Sequence, residues 1–255
     1  KVEAVDSELR NSIIPLIVVL SVTNGMIEGM TERIIGLSSS NIQAYVSPSI
    51  PQVATAQAFN EYSSSLKNVN GVLNAYPELG ITALAAGKSN RSGAQIRAMD
   101  KMIFSKNKSF SKLFDVIEGS IEEYENQDPE SGKKAIIGKK LAENINVKAG
   151  DTIKIITTKS LNGKMSPKLT TFKVAAIVSS GYQELDALWL FIPLEAAYKY
   201  TSIKNSNFTI MIETEDPFDS NLVKIQRDLK KTYGRYANYY RWDQIHAAEF
   251  ENFSS

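Results

Sequence analysis

Apolar and polar positions change period several times between residues 135 and 193, and this stretch organises the rest of the chain. Ala135, Ile136 and Ile137 predict a short buried strand with Gly138 as its corner. Residues 139–145 predict two turns of helix, because Leu141 and Ile145 lie one helical repeat apart. Gly150 and Asp151 turn the chain into a strand over 152–158, where Ile153 and Ile155 alternate with Lys154. A second strand is predicted over 171–178, with Phe172, Val174, Ala176 and Val178 on one face. The run Leu188-Trp189-Leu190-Phe191-Ile192-Pro193 predicts a strand buried on both faces. Pro193 stops it ahead of a helix over 194–200.

The flanks repeat a simpler pattern. A strand over 41–46 precedes a helix that starts at Pro51 and reaches about Val69, with Phe59, Tyr62, Leu66 and Val69 on one face. Asn70-Gly71 breaks it, and 72–86 supplies one or two strands bent at Pro77 and Gly80. Near the other end, a strand over 207–214 turns Phe208, Ile210 and Ile212 inward. A helix capped by Asp219 follows, carrying Leu222, Ile225, Leu229 and Tyr233; Gly234 ends it, and 236–242 is an aromatic strand. Strand–helix–strand therefore occurs twice, and two such units share a sheet most simply. The expected class is α+β. One discontinuous subdomain takes 41–107 and 207–243, and a smaller α/β subdomain, 108–206, is inserted. Residues 126–134 and 204–207 read as linkers.

Residues 13–22 are apolar for about ten positions, half of the roughly twenty needed to span a bilayer, and by themselves read as a buried amphipathic helix in preference to the stump of a membrane helix. Twenty-nine basic residues against 28 acidic leave a net charge of +1, so no global field favours nucleic acid. The absence of cysteine excludes disulfides, thiolate catalysis and the common zinc sites. The single histidine, His246, is read as solvated or facing a partner, and neither a metal site nor a cofactor is expected. No glycine-rich phosphate loop is present; Gly138-Lys139-Lys140 lacks its spacing and reads as a solvated helix start. The acidic run Glu118, Glu122, Glu123, Glu125, Asp128, Glu130 lacks the order of a calcium loop and is read as a solvated helix face. Tyr233, Tyr236, Tyr239, Tyr240 and Trp242 alternate with Arg235 and Arg241, a pattern read as core and rim packing of a strand.

The order of elements resembles a known family. A short strand, the segment GKKLAENINVKAGD, two strands and SSGYQELDALWLFIPLEAAY look like the extracytoplasmic domain of MacB-like ABC transporter permeases. The lipoprotein-releasing permeases are the branch most resembled. Leu16-Ile17-Val18-Val19-Leu20-Ser21-Val22-Thr23-Asn24-Gly25-Met26 looks like the end of that family's first membrane helix, and Phe250-Glu251-Asn252-Phe253 like the approach to its second. The resemblance implies a split, porter-like core subdomain carrying a sabre-like insert. Residues 1–40 would come from a membrane helix and 244–255 would lead to the next. It also implies a non-enzymatic role on the periplasmic side of the bacterial inner membrane. The partners implied are a cytoplasmic ATPase subunit, a second permease subunit (identical or different), lipoprotein cargo and a periplasmic carrier. The alternatives are the efflux or cell-division branches of the same family, a soluble ligand-binding receptor, and a hydrolase using the acidic run.

One feature of the residues themselves invites a partner. Asn162-Gly163 is the strongest two-residue turn signal in the chain, between strands that must pair. Leu161 and Met165 flank it, Pro167 blunts an edge, and Lys159, Lys164 and Lys168 make the tip basic. In the lipoprotein-releasing branch the equivalent hairpin, a few residues longer, is the hook that engages the carrier. The candidate partner-binding residues are thus Leu161, Asn162, Gly163, Lys164, Met165 and Pro167.

Overall fold

The structure is a computed structural model that describes residues 17–18, 41–215, 221–242 and 244. Expectations placed on Asp219, His246, residues 13–16 and 19–40, and the tail 245–255 fall outside these. Ile17 and Val18 are helical and exposed. Among the described residues no helix is long and apolar enough to cross a membrane.

In chain order the elements are β1 (Ile42–Val46), α1 (Ala56–Ser65), β2 (Asn74–Ala86), β3 (Arg91–Met99), α2 (Ile103–Lys106) and α3 (Lys108–Ser111). There follow β4 (Asp115–Gly119), α4 (Ile121–Glu125), β5 (Lys134–Gly138), α5 (Lys139–Ile145), β6 (Thr152–Leu161) and β7 (Lys164–Ser179). The last are α6 (Gln183–Asp186), β8 (Trp189–Pro193), α7 (Leu194–Tyr200), β9 (Asn207–Glu213), α8 (Asn221–Tyr233) and β10 (Ala237–Arg241). They group into two compact units. A terminal unit holds the described residues of 41–80, 102–113 and 206–244, and a central unit holds 81–101 and 114–205.

In the terminal unit the strands lie in the order β10-β1-β9-β2, each antiparallel to its neighbour. Alternation sends Ile42, Ala44 and Val46 to one face, and all three are buried. β1 and β2 are therefore parallel with β9 between them, and β9 and β10 are parallel with β1 between them. Two split strand–helix–strand units interleave in this way. α1 covers the sheet through Phe59, whose ring meets Phe208 edge-on at 5.8 Å. Tyr233 at the end of α8 donates to the Ser65 carbonyl at 3.0 Å, joining the two helices. The helix predicted from Pro51 is interrupted. Pro51–Val53 is a 3-10 turn, and α1 begins only after Thr55, whose extended backbone and Oγ1 cap it by accepting from the Ala58 amide.

The central unit is built on β5, β7 and β8. β5 runs parallel to β7 and antiparallel to β8, and β8 runs parallel to β3. Strands flanked on both sides read as unbroken apolar runs, and every residue of β8 is buried. α5 buries Leu141, Ala142 and Ile145 and ends at Asn146 in the left-handed region, φ 56°. Gly138 precedes it, because a Cβ there would lie 2.2 Å from the Asp186 carbonyl oxygen. Asp186 is itself buried and accepts from the Ser180 amide and from the hydroxyls of Ser179 and Ser180.

Candidate partner-binding hairpin

β6 and β7 pair without interruption from Thr152–Lys173 out to Leu161–Lys164, leaving Asn162 and Gly163 as a two-residue loop. Both loop residues have positive φ, 51° and 76°, as the type I′ turn requires. A Cβ on Gly163 would meet nothing within 4 Å, so only the backbone conformation asks for glycine there. The strands are longer than the expected 152–158 and 171–178, because the tight turn lets pairing run to its edge.

The base of this hairpin is held on both edges. β6 pairs β2 over Lys154–Ile156, and β7 pairs β5 from Lys173 onward. The end of α7 and the residues after it brace the next level. Ser202 donates its amide to Thr157 Oγ1 at 3.0 Å, Lys168 Nζ donates to the Thr201 carbonyl at 3.3 Å, and Phe172 meets Tyr200 edge-on. From the Thr157–Lys168 pair to the turn is four residue steps, or about 14 Å of ribbon. Along it the two strands have only each other as ladder partners among the described residues.

The two faces of that ribbon differ. Register places Lys159, Lys164 and Lys168 on one face, while Met165, Pro167 and Leu169 share the other with Ser160, Thr158 and Ile156. Met165 is 40% exposed and Leu169 56%. Ladder bonds alternate from the turn-closing pair Leu161–Lys164, so Pro167 sits where its missing N–H removes none of them. Asn162, Gly163 and Lys164 are exposed at the tip. The candidate residues are thus brought together at one end of one hairpin. Leu169 belongs to the apolar face and was missed, since a strand start at 171 left it in the loop. The period-two recurrence of Met165, Pro167 and Leu169 is the signal that finds it.

The other candidates disperse. The acidic run does not form one helix face. Gly119, at φ 73°, ends β4 and leaves Glu118 on a strand, where Oε1 accepts from the Ala149 amide; Glu122, Glu123 and Glu125 lie on α4. Asp128 closes a turn instead, accepting from the amides of Ser131 and Glu130, which hold its carboxyl below the ordinary range. The aromatic cluster divides between core and rim. Tyr239 is fully buried and donates to the Tyr233 carbonyl, while Tyr240 is half-buried and edge-on to Tyr45. A cavity of about 270 Å³ in the terminal unit is lined by Asn70, Thr214, Glu215 and Lys224 among others. Among the described residues no three His, Cys, Asp or Glu converge as a metal would require.

The sequence profile of the MacB-like periplasmic core domain matches residues 12–227, most of the chain. This chain belongs to that family. The fold agrees. The periplasmic region of MacB from Actinobacillus actinomycetemcomitans is 13% identical, with 88% of this chain and 98% of that chain covered at a TM-score of 0.52. The extracellular domain of the noncanonic ABC-type transporter YknZ from Gram-positive bacteria is 16% identical, with 78% and 98% covered and a TM-score of 0.48. Members of this family are extracytoplasmic domains of membrane permeases, and the mixed α+β architecture is theirs.

Proposed function

We propose that this chain is the extracytoplasmic part of an ABC transporter permease of the lipoprotein-releasing kind, and that it performs no bond chemistry. A cytoplasmic ATPase supplies the work, and paired permease domains pass it on by opening and closing around lipoprotein cargo. The terminal unit takes the porter-like role and the central unit the sabre-like one. The observation that carries the reading is where the chain enters and leaves the terminal unit. Ile42 pairs with Arg241, and the Trp242 amide donates to the Asn41 carbonyl at 3.1 Å. Two membrane helices, one before residue 41 and one after 242, would then emerge side by side.

The hairpin tip, Leu161 to Pro167, is the contact for a periplasmic carrier on this reading. A free ribbon with one apolar and one basic face suits a carrier whose docking surface is apolar with an acidic rim. The test replaces residues 160–167 by a minimal Asn-Gly turn in the full-length transporter. The melting temperature of the domain should hold, since the braces at Thr157, Lys168 and Phe172 remain, while cargo transfer to the carrier is lost. Unchanged transfer would remove the hairpin from the mechanism.

A further inference from the structure

α8 carries a charge pattern that folding does not explain. Its buried side is Leu222, Ile225, Gln226 and Leu229. On the opposite side Lys224, Arg227, Lys230 and Lys231 fall within about 120° of arc, a sector that also holds Val223, which is 46% exposed. None of the four pairs with an acid among the described residues. Like charges recur at helical contact spacing: Lys224 with Arg227, Arg227 with Lys230, and Arg227 with Lys231, against one acid on the helix, Asp228, at contact spacing from Lys224 and Lys231. Each like-charge pair opposes helix formation. The helix dipole accounts for Lys230 and Lys231, which lie in the last turn. It works against Lys224, near the N-terminus, and the first turn holds no acid. In a chain whose net charge is only +1, this stripe is a local concentration that an anionic surface would relieve.

The same helix is tied to the point where the chain leaves the unit. Gln226 Nε2 donates to the Tyr239 carbonyl at 2.9 Å and to Gln244 Oε1 at 2.7 Å. Arg241 Nη1 donates to Gln226 Oε1 at 2.7 Å. Arg227 follows Gln226 directly, so the basic stripe passes beside the strand end that, on the reading proposed above, continues into the membrane.

We propose that the exposed face of α8 rests on anionic phospholipid headgroups of the membrane to which the domain is anchored. Lys224, Arg227, Lys230 and Lys231 supply the contacts, with Val223 beside them at the N-terminal end of the stripe. Charge sign and closeness to the membrane-leading strand favour lipid over an acidic protein, which would not need that placement.

The test uses the 255-residue chain with vesicles of phosphatidylcholine alone or mixed with phosphatidylglycerol. Binding should prefer the anionic vesicles at least tenfold, and the preference should collapse as salt is raised. Lys224→Gln, Arg227→Gln and Lys231→Gln together should weaken anionic-vesicle binding about a hundredfold, at about fivefold per basic residue. The melting temperature should stay level or rise as like-charge pairs are removed. Val223→Glu, a single change, should cost about tenfold and serves if the triple variant folds poorly. Equal binding to both vesicles, undiminished binding by the variants, or capture of an acidic protein with no vesicle binding would each overturn the proposal. Recovery of the full-length permease in the soluble fraction would instead overturn the anchoring on which it rests.

Discussion

Phe191 shows what a single side chain contributes. It is 1% exposed, and its ring meets Phe114 at 5.5 Å and Trp189 at 6.1 Å, both edge-on. Phe191→Ala opens a cavity that strands on either side cannot close, and urea unfolding should show a loss of about 3–5 kcal/mol. A loss below about 1 kcal/mol would mean the site collapses. Gly163 presents the opposite situation: there is room around it, but φ is 76°. Gly163→Ala should therefore cost only about 1–2 kcal/mol, the penalty of a left-handed backbone for an L-residue. A loss of 4 kcal/mol or so by the same measurement would show that the turn is packed against something.

Among the elements, α4 and the turn after it tie carboxylates to fixed donors. Lys134 Nζ lies 2.8 Å from Glu123 Oε1 and, with Lys173, holds the Glu123 carboxyl below its ordinary value of 4.5. The amides of Ser131 and Glu130 lower Asp128 from 3.8, and the Lys148 amide with Lys88 lowers Asp151. A carboxylate whose folded pKa is depressed stabilises the fold above its unfolded pKa, and that contribution is lost as pH falls through the folded value. Stability should thus be level above about pH 5 and decline as acid titrates these groups below about 4.5. Glu123→Gln should make the decline shallower in acid thermal melts; an unchanged slope would remove Glu123 from it. At this scale the sequence gives no signal for β3 and β4. Arg91–Met99 offers only Ile96 and Met99 as large apolar residues, and β4 is exposed throughout. Both are strands because a neighbouring strand supplies hydrogen bonds, which no local pattern records.

For the whole molecule, the closeness of Asn41 and Trp242, where the chain enters and leaves the terminal unit, is the feature with the widest consequence. Gln43 and Tyr240 are register partners on β1 and β10, and partners in an antiparallel ladder sit about 4.5–5.5 Å apart at Cα. That separation accepts a disulfide. The chain has no cysteine of its own, so the variant Gln43→Cys/Tyr240→Cys has a clean background. On oxidation in the full-length permease it should form an internal disulfide, seen as a mobility shift reversed by reductant. Failure to cross-link would mean that β1 and β10 are not held side by side, and the proposed pairing of membrane helices would lose its support.

What the sequence determined by itself is whatever a few neighbouring residues can enforce. α5 and α7 have the bounds their apolar spacing predicts, β8 is buried on both faces, and Asn162-Gly163 forms the tight turn its positive φ values allow. Each of these is a contest between local conformations, settled by side-chain period, proline and glycine. Tertiary structure alone decided the order β10-β1-β9-β2 and the placing of β8 between β3 and β5. Strand order and register bring together residues far apart in the chain. The free energy that selects them is burial of a shared face, a quantity that no short window of sequence contains.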